Sequence, residues 1–188
     1  VFIAFWDARP NGAWAQEEDL KGWPMTETTV RRLAVGEWKK YRDLRLKSLQ
    51  ESPEAFVKTY AEEKDFDESV WHDRMERADR LIATQGGSDV GVLSMRPADE
   101  DFEDSAEIFG LWVTPELRGK GVAVALFQEA VSEALKDGHD HLVYWVGTDN
   151  GAGVAFASAR GFRPSEARRP MEGAHEGEQE IAMVLSLS

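Results

Sequence analysis

Residues 116–127 read ELRGKGVAVALF, a glycine turn that runs directly into an apolar helix. A strand, a tight turn and a helix N-terminus bring unpaired backbone N–H groups and the positive end of a helix dipole to one point. That is the chemistry of an anion site. Gly119 and Gly121 let the backbone approach a bulky diphosphate with no Cβ in the way. Arg118 and Lys120 carry positive charge to the same place. A plain turn is the competing explanation for two glycines so close together. The loop GxxxxGK[ST] and the fingerprint GxGxxG are both absent, which sets aside the common nucleotide-binding patterns.

The elements that must hold this turn can be read around it. Glu107–Val113 (EIFGLWV) is apolar on both faces and reads as a buried central strand. The helix that follows runs from Val122 to about Lys136, with Leu126, Ala130 and Ala134 on one stripe and Phe127, Val131 and Leu135 beside it. Asp137-Gly138 stops it. Upstream lie a short strand at Thr28–Leu33, a helix at Glu37–Leu49, a break at SPEAF and a helix at Asp67–Ala78. Arg80–Gln85 and Val90–Met95 flank a Gly-Gly turn and read as a hairpin. Downstream come a strand at His141–Val146, a short helix at Asn150–Arg160 and a last strand within IAMVLSLS. The order β-α-α-β-β-β-α-β-α-β predicts a single α/β domain, a mixed sheet flanked by helices. Residues 25–188 form that domain; residues 1–24 read as an N-terminal extension able to order as an arm.

Composition narrows the classes. The 188 residues carry 35 acids against 22 bases, a formal charge of −13, which argues against binding a nucleic acid over the whole surface. Such a charge favours cationic partners, and more commonly it only keeps a protein soluble. There is no cysteine, so disulfides and thiolate metal sites are excluded. No stretch approaches the ~20 apolar residues of a membrane span. A cytoplasmic protein without a membrane partner is the expectation.

With these elements in place, LWVTPELRGKGVAVAL fits the pattern [Q/R]xxGx[G/A] through Arg118, Gly121 and Ala123. It resembles the acetyl-CoA pyrophosphate motif of the GNAT superfamily of N-acetyltransferases. DNGAGVAFASARGF at 149–162 resembles the family's downstream motif, an Asn opening a helix that ends in Gly-Phe, here Asn150, Gly161 and Phe162. The resemblance implies the GNAT fold, with a mostly antiparallel central sheet. It implies acetyl-CoA as cosubstrate and no metal. The turn amides would hold the diphosphate while the preceding strand splays to receive the pantetheine arm. The implied cofactor-binding residues are Leu111, Trp112 and Val113 on the strand, Arg118, Gly119, Lys120, Gly121, Val122 and Ala123 at the turn, and Asn150 and Phe156 downstream. An amine acceptor, small molecule or peptide, is implied, and a homodimer is compatible with it.

Catalysis is less well marked. The family often carries a Tyr seven residues after the Asn, proposed to protonate the departing thiolate; this chain has Ala157 there. A thiol with a pKa of about 8.5 leaves tolerably well without help. The amine is harder, since an ammonium of pKa about 10.4 costs about 4.6 kcal/mol to deprotonate at pH 7. Glu107, in AEIFGLWV, resembles in placement the catalytic Glu of some family members and is the candidate base. It also fits a plain surface carboxylate at a strand end. Glu62 and Glu63 are further candidates. With no cysteine a cysteinyl acyl-enzyme is excluded, and direct transfer is the expectation. A non-catalytic acyl-CoA sensor on the same fold is the rival reading, favoured by Ala157, and a different acyl donor is a third.

Other constellations carry less. His139 and His141 would share a strand face, but Asp140 would not join them, so a metal is not expected. No GxSxG elbow accompanies any Ser-His-Asp set. Arg160, Arg163, Arg168 and Arg169 form a basic cluster that either reaches the CoA ribose phosphate or pairs with the acids at 172–180.

Overall fold

The computed structural model describes residues 27–56, 58–171 and 178–187; the extension at 1–24 lies outside them. The strands are β1 (Thr28–Arg32), β2 (Asp79–Gln85), β3 (Ser88–Pro97), β4 (Ser105–Val113), β5 (His141–Gly147), β6 (Arg163–Pro170) and β7 (Gln179–Ser186). The helices are α1 (Trp38–Glu51), α2 (Tyr60–Glu63), α3 (Glu68–Arg77), α4 (Val122–Lys136) and α5 (Gly151–Ala159). The strands form one sheet in the order β1-β2-β3-β4-β5-β7-β6. Every neighbouring pair is antiparallel except β4 and β5, which run parallel at the centre. The mixed, mostly antiparallel sheet is the one expected. No helix among the described residues is long and apolar enough to cross a membrane.

Each face of the sheet has its own helical cover. On one side Leu81, Met95, Ile108, Leu142 and Met183 meet α4, whose Leu126, Ala130 and Ala134 are fully buried as the stripe predicts. Leu135, read as part of the same apolar face, turns out to water instead. On the other side Ile82, Val92 and Trp112 meet Tyr41 and Leu44 of α1 and Trp71 and Met75 of α3. Full burial of side chains this size stabilises by about 1.5–3 kcal/mol each, so both covers hold firmly.

Two elements are additions to the sequence reading. Strand β6, RPSEARRP, holds two prolines and pairs only with β7, with an irregular register between Pro164 and Arg168. Proline is tolerated at such an edge because no outer neighbour needs its missing N–H. Helix α2 is a single turn started by Thr59, whose hydroxyl accepts from the Glu62 N–H while the Glu62 carboxylate accepts from the Thr59 N–H. That reciprocal box is legible as T-x-x-E and marks a helix start.

Candidate active site

The centre of the sheet opens into a cleft. Strands β4 and β5 pair from Ser105–His141 only as far as Ile108–Tyr144. Beyond that point β4 stays bonded to β3 and β5 to β7, so the two strands part. Gly110 sits at the divergence with φ +62, a conformation that costs a residue with a Cβ, and the β3–β4 register slips beside it. Phe109 to Val113 therefore present a backbone edge that no strand occupies on the β5 side. Of the three expected binding residues there, Leu111 and Val113 face α4 and Trp112 faces α1. Their backbone is what the cleft exposes.

The glycine turn lies where β4 ends. Gly119 and Gly121 have φ +73 and +88, and Gly121 caps α4 without a side-chain bond. A Cβ at either glycine would meet nothing, so conformation and ligand access, not packing, select glycine here. Among the described residues the N–H groups of Gly119, Gly121, Val122, Ala123 and Val124 meet no protein acceptor. A cluster of open donors at the start of a 15-residue helix is a fit for a diphosphate. Arg118 takes a role different from the charge donor expected. Its guanidinium donates to the Val113 carbonyl (3.1 Å) and to the Ser52 hydroxyl (2.6 Å), which also accepts from Trp112 Nε1 (3.0 Å). Arg118 thus braces the turn against the end of α1.

Asn150 caps α5 by accepting from the Gly153 N–H at 2.9 Å. Phe156 is buried against Phe127 of α4, with Arg160 stacked over its ring at 5.6 Å. Ala157 is fully buried in the core between sheet and helices. Tyr144 is the last β5 residue paired with β4 and packs its ring against Phe162; among the described residues its hydroxyl is buried without a hydrogen-bond partner, and burial pushes its pKa up.

On the face opposite α4 a cavity of about 350 Å³ opens at the bulge, with Phe109 and Gly110 in its wall. Tyr41, Phe56 and Phe109 supply its aromatic surface. Among the described residues six cationic side chains line it, Arg45, Lys58, Arg74, Arg77, Arg80 and Arg96, against the single carboxylate of Glu63. Glu63 is fully buried and shared by Arg45 (2.9 and 3.1 Å) and Arg74 (2.7 Å). Burial alone would raise its pKa, yet the two guanidiniums outweigh burial and lower it. Glu62 is exposed and held at a pKa of about 2, first by the Thr59 backbone and hydroxyl and then by Lys58. Neither carboxylate is poised to take a proton near neutral pH.

Glu107 is not the surface carboxylate of one reading; it is 2% exposed. Its Oε2 accepts from Arg96 Nε (3.0 Å) and Nη2 (2.7 Å), and its Oε1 from Arg169 Nη2 (3.4 Å). Three of the roughly four acceptor positions of a carboxylate are thereby filled. Arg96 lines the cavity and Glu107 does not. Glu107, the expected base, thus holds Arg96 and Arg169 through its two oxygens. Arg169 also pairs with Glu180 at 2.7 Å and stacks on Trp145, so the basic cluster does reach the acids downstream. Among the described residues no group of His, Asp and Glu is placed to hold a metal.

The centre of the site is thus a parallel pair that splays within an antiparallel sheet, with a glycine turn and helix at its open end. Residues 39–162 match the acetyltransferase (GNAT) family, and the chain belongs to it. Over 61 residues it is 36% identical to an uncharacterised N-acetyltransferase of Methanocaldococcus jannaschii; that match covers 32% of this chain and 27% of the relative. Solved structures share the fold. A ribosomal-protein-alanine N-acetyltransferase of Brucella melitensis superposes with a TM-score of 0.66 at 19% identity, covering 84% of this chain and 99% of that one. A probable acetyltransferase of Staphylococcus epidermidis gives 0.68 at 15%, covering 86% and 100%. An acetyltransferase from Salmonella typhimurium, solved with acetyl-CoA, gives 0.64 at 18%, covering 86% and 94%.

Proposed function

We propose that the protein transfers an acetyl group from acetyl-CoA directly to a primary amine. The observation that carries this reading is the set of open N–H groups at Gly119 and at Gly121 to Val124 beside a cleft between β4 and β5. The turn would hold the diphosphate, and the free edge of β4 would accept and donate to the amides of the pantetheine arm. The amine enters from the cavity at Gly110, so its nitrogen meets the acyl carbon at the bulge. A C–N bond forms, the C–S bond breaks, the amine loses one proton and the thiolate leaves as the anion or takes one up from water.

Deprotonation is assisted by the cavity itself. Guanidinium groups disfavour a neighbouring ammonium and lower its pKa. The proton can then pass to water at the mouth, with no carboxylate base required. Isothermal titration with acetyl-CoA, followed by thiol release with an amine panel, tests the whole reading. Gly121→Asp, which sets a carboxylate among the donors, should abolish binding and leave the circular dichroism spectrum in place. Unchanged affinity would remove the turn from the site. Tight binding with no turnover on any amine would favour the sensor reading.

A further inference from the structure

Arg80 is the anomaly of this molecule. It points from β2 into the wall of the acceptor cavity, is 4% exposed, and lies between the rings of Tyr41 (4.4 Å) and Phe109 (5.5 Å). Its Nη2 donates to the Arg74 carbonyl at 2.8 Å. Among the described residues Nε and Nη1 have no partner at all. A buried cation ordinarily has a counter-ion, since desolvating a charge alone is costly. Four of the other five cations of the cavity are paired. Lys58 pairs with Glu62, Arg45 and Arg74 share Glu63, and Arg96 pairs with Glu107. Arg77, at the exposed rim, and Arg80, at the buried wall, have no acidic partner among the described residues.

We propose that Arg80 is the seat of an anionic group on the acceptor, a carboxylate or a phosphate, so that the substrate is an amine carrying its own negative charge. The open Nε–H and Nη1–H lie on different edges of the planar guanidinium, so each offers a charge-assisted hydrogen bond to one oxygen of an anion. Tyr41 and Phe109 flank the guanidinium and limit its movement. Phe109 also precedes the bulge at Gly110, so an anion on Arg80 sets the far end of a short molecule whose amine faces the cleft. Burial, the largest influence on Arg80, lowers its pKa, with Arg74 and Arg45 adding to the effect; an incoming anion would reverse both. The same surplus of positive charge repels polyamines and polycationic antibiotics.

This inference names the acceptor for the acetyl-transfer reading and rests on it, so the test has an arm that needs no turnover. In the first arm, thiol release is measured with amino acids against their carboxamides, and with phosphoethanolamine against ethanolamine. Each charged acceptor should exceed its neutral counterpart by about 10²-fold in kcat/KM, the scale of a hydrogen bond between charged groups. Arg80→Met keeps the length of the side chain and removes its charge. It should erase that difference through KM, leave acetyl-CoA affinity unchanged and melt no lower than the wild type. Equal rates on charged and neutral acceptors, or an equal loss on both in Arg80→Met, overturns the proposal.

In the second arm, thermal shifts are read with succinate and with inorganic phosphate while CoA fills the turn. Stabilisation of the wild type that is absent in Arg80→Met supports the site, and the more effective anion identifies its class. No stabilisation by either anion, or the same shift in both proteins, overturns it even where acetyl-CoA binds. An Arg80-dependent anion response without acetyl-CoA binding would sink the acetyl-transfer reading and leave the anion site standing. Should Arg80→Met fail to fold, Arg80→Lys keeps the charge and loses the Nε and Nη1 donors; an undiminished anion response in it overturns the proposal.

Discussion

Replacing Glu107 by Gln separates an anchor from a base, because the change removes charge and keeps shape. A general base contributes about 10²–10⁴ in rate, and its loss would fall on kcat. The deficit would shrink as pH rises towards the pKa of the amine, where the ~4.6 kcal/mol cost of deprotonation at pH 7 vanishes. An anchor behaves otherwise. Glu107 is buried while Arg96 is 42% exposed, so the freed guanidinium can rehydrate. Losing one partner of a fully buried pair costs about 3–5 kcal/mol. Half-exposure of Arg96 cuts this to ~1–3 kcal/mol, the worth of a hydrogen bond to a charged group.

For a chain of this size that is a fall of about 4–8 °C in melting temperature, taking ~2 kcal/mol as the centre. The expected result of Glu107→Gln is therefore a lower Tm, a raised KM for the amine, and a kcat deficit well under 10²-fold that does not change between pH 7 and pH 10. The wild type should show kcat/KM rising with pH by about tenfold per unit until the amine is neutral, with no enzyme carboxylate limb. Thiol-release kinetics from pH 6 to 10 and a thermal melt decide the matter. A kcat loss of 10³ at pH 7 that recovers by pH 10, at unchanged Tm, would refute the anchoring role and restore Glu107 as base.

Glu63→Gln should lower stability by ~3 kcal/mol, since it strands Arg45 and Arg74 around a buried site, and denaturant unfolding reads it directly. The folded-state pKa of Glu63 is lowered, so its stabilisation is present above the ordinary carboxylate range and is lost as pH falls from there through the folded value; the variant should show a flatter acid limb. Tyr144→Phe removes a buried hydroxyl that has no partner among the described residues and should stabilise by about 1 kcal/mol with kcat unchanged. A fall in kcat at unchanged acetyl-CoA affinity would instead mark Tyr144 as the proton donor to the thiolate. Ala157→Tyr, which restores the common family residue, should cost ~1–3 kcal/mol and give no activity gain, because position 157 is fully packed; a melt and a rate measurement check it.

What could be read from the chain and what could not divide along a physical line. The turn at Gly119 and Gly121 was legible because its conformation, its donors and its helix are all set by neighbours within a dozen residues. The cap at Asn150 and the stripe of α4 are local in the same way. Strand β6 escaped because its prolines and arginines deny it any strand propensity; its place comes from β7, which offers a pairing edge. Gly110 inside EIFGLWV was a signal for a bulge, and reading the run as an unbroken strand passed over it. The acceptor cavity lay furthest out of reach. Its cations come from α1, the loop before α2, α3, β2 and β3, and only the fold collects them. The formal charge of −13 gave no hint of it, since such a charge more commonly only keeps a protein soluble. Yet the field inside a cleft with low-dielectric walls is governed by the groups that line it, and here these are guanidiniums. An acidic exterior around a cationic pocket screens out polyanions at the surface and leaves the small anion as the ligand that gains from going inside.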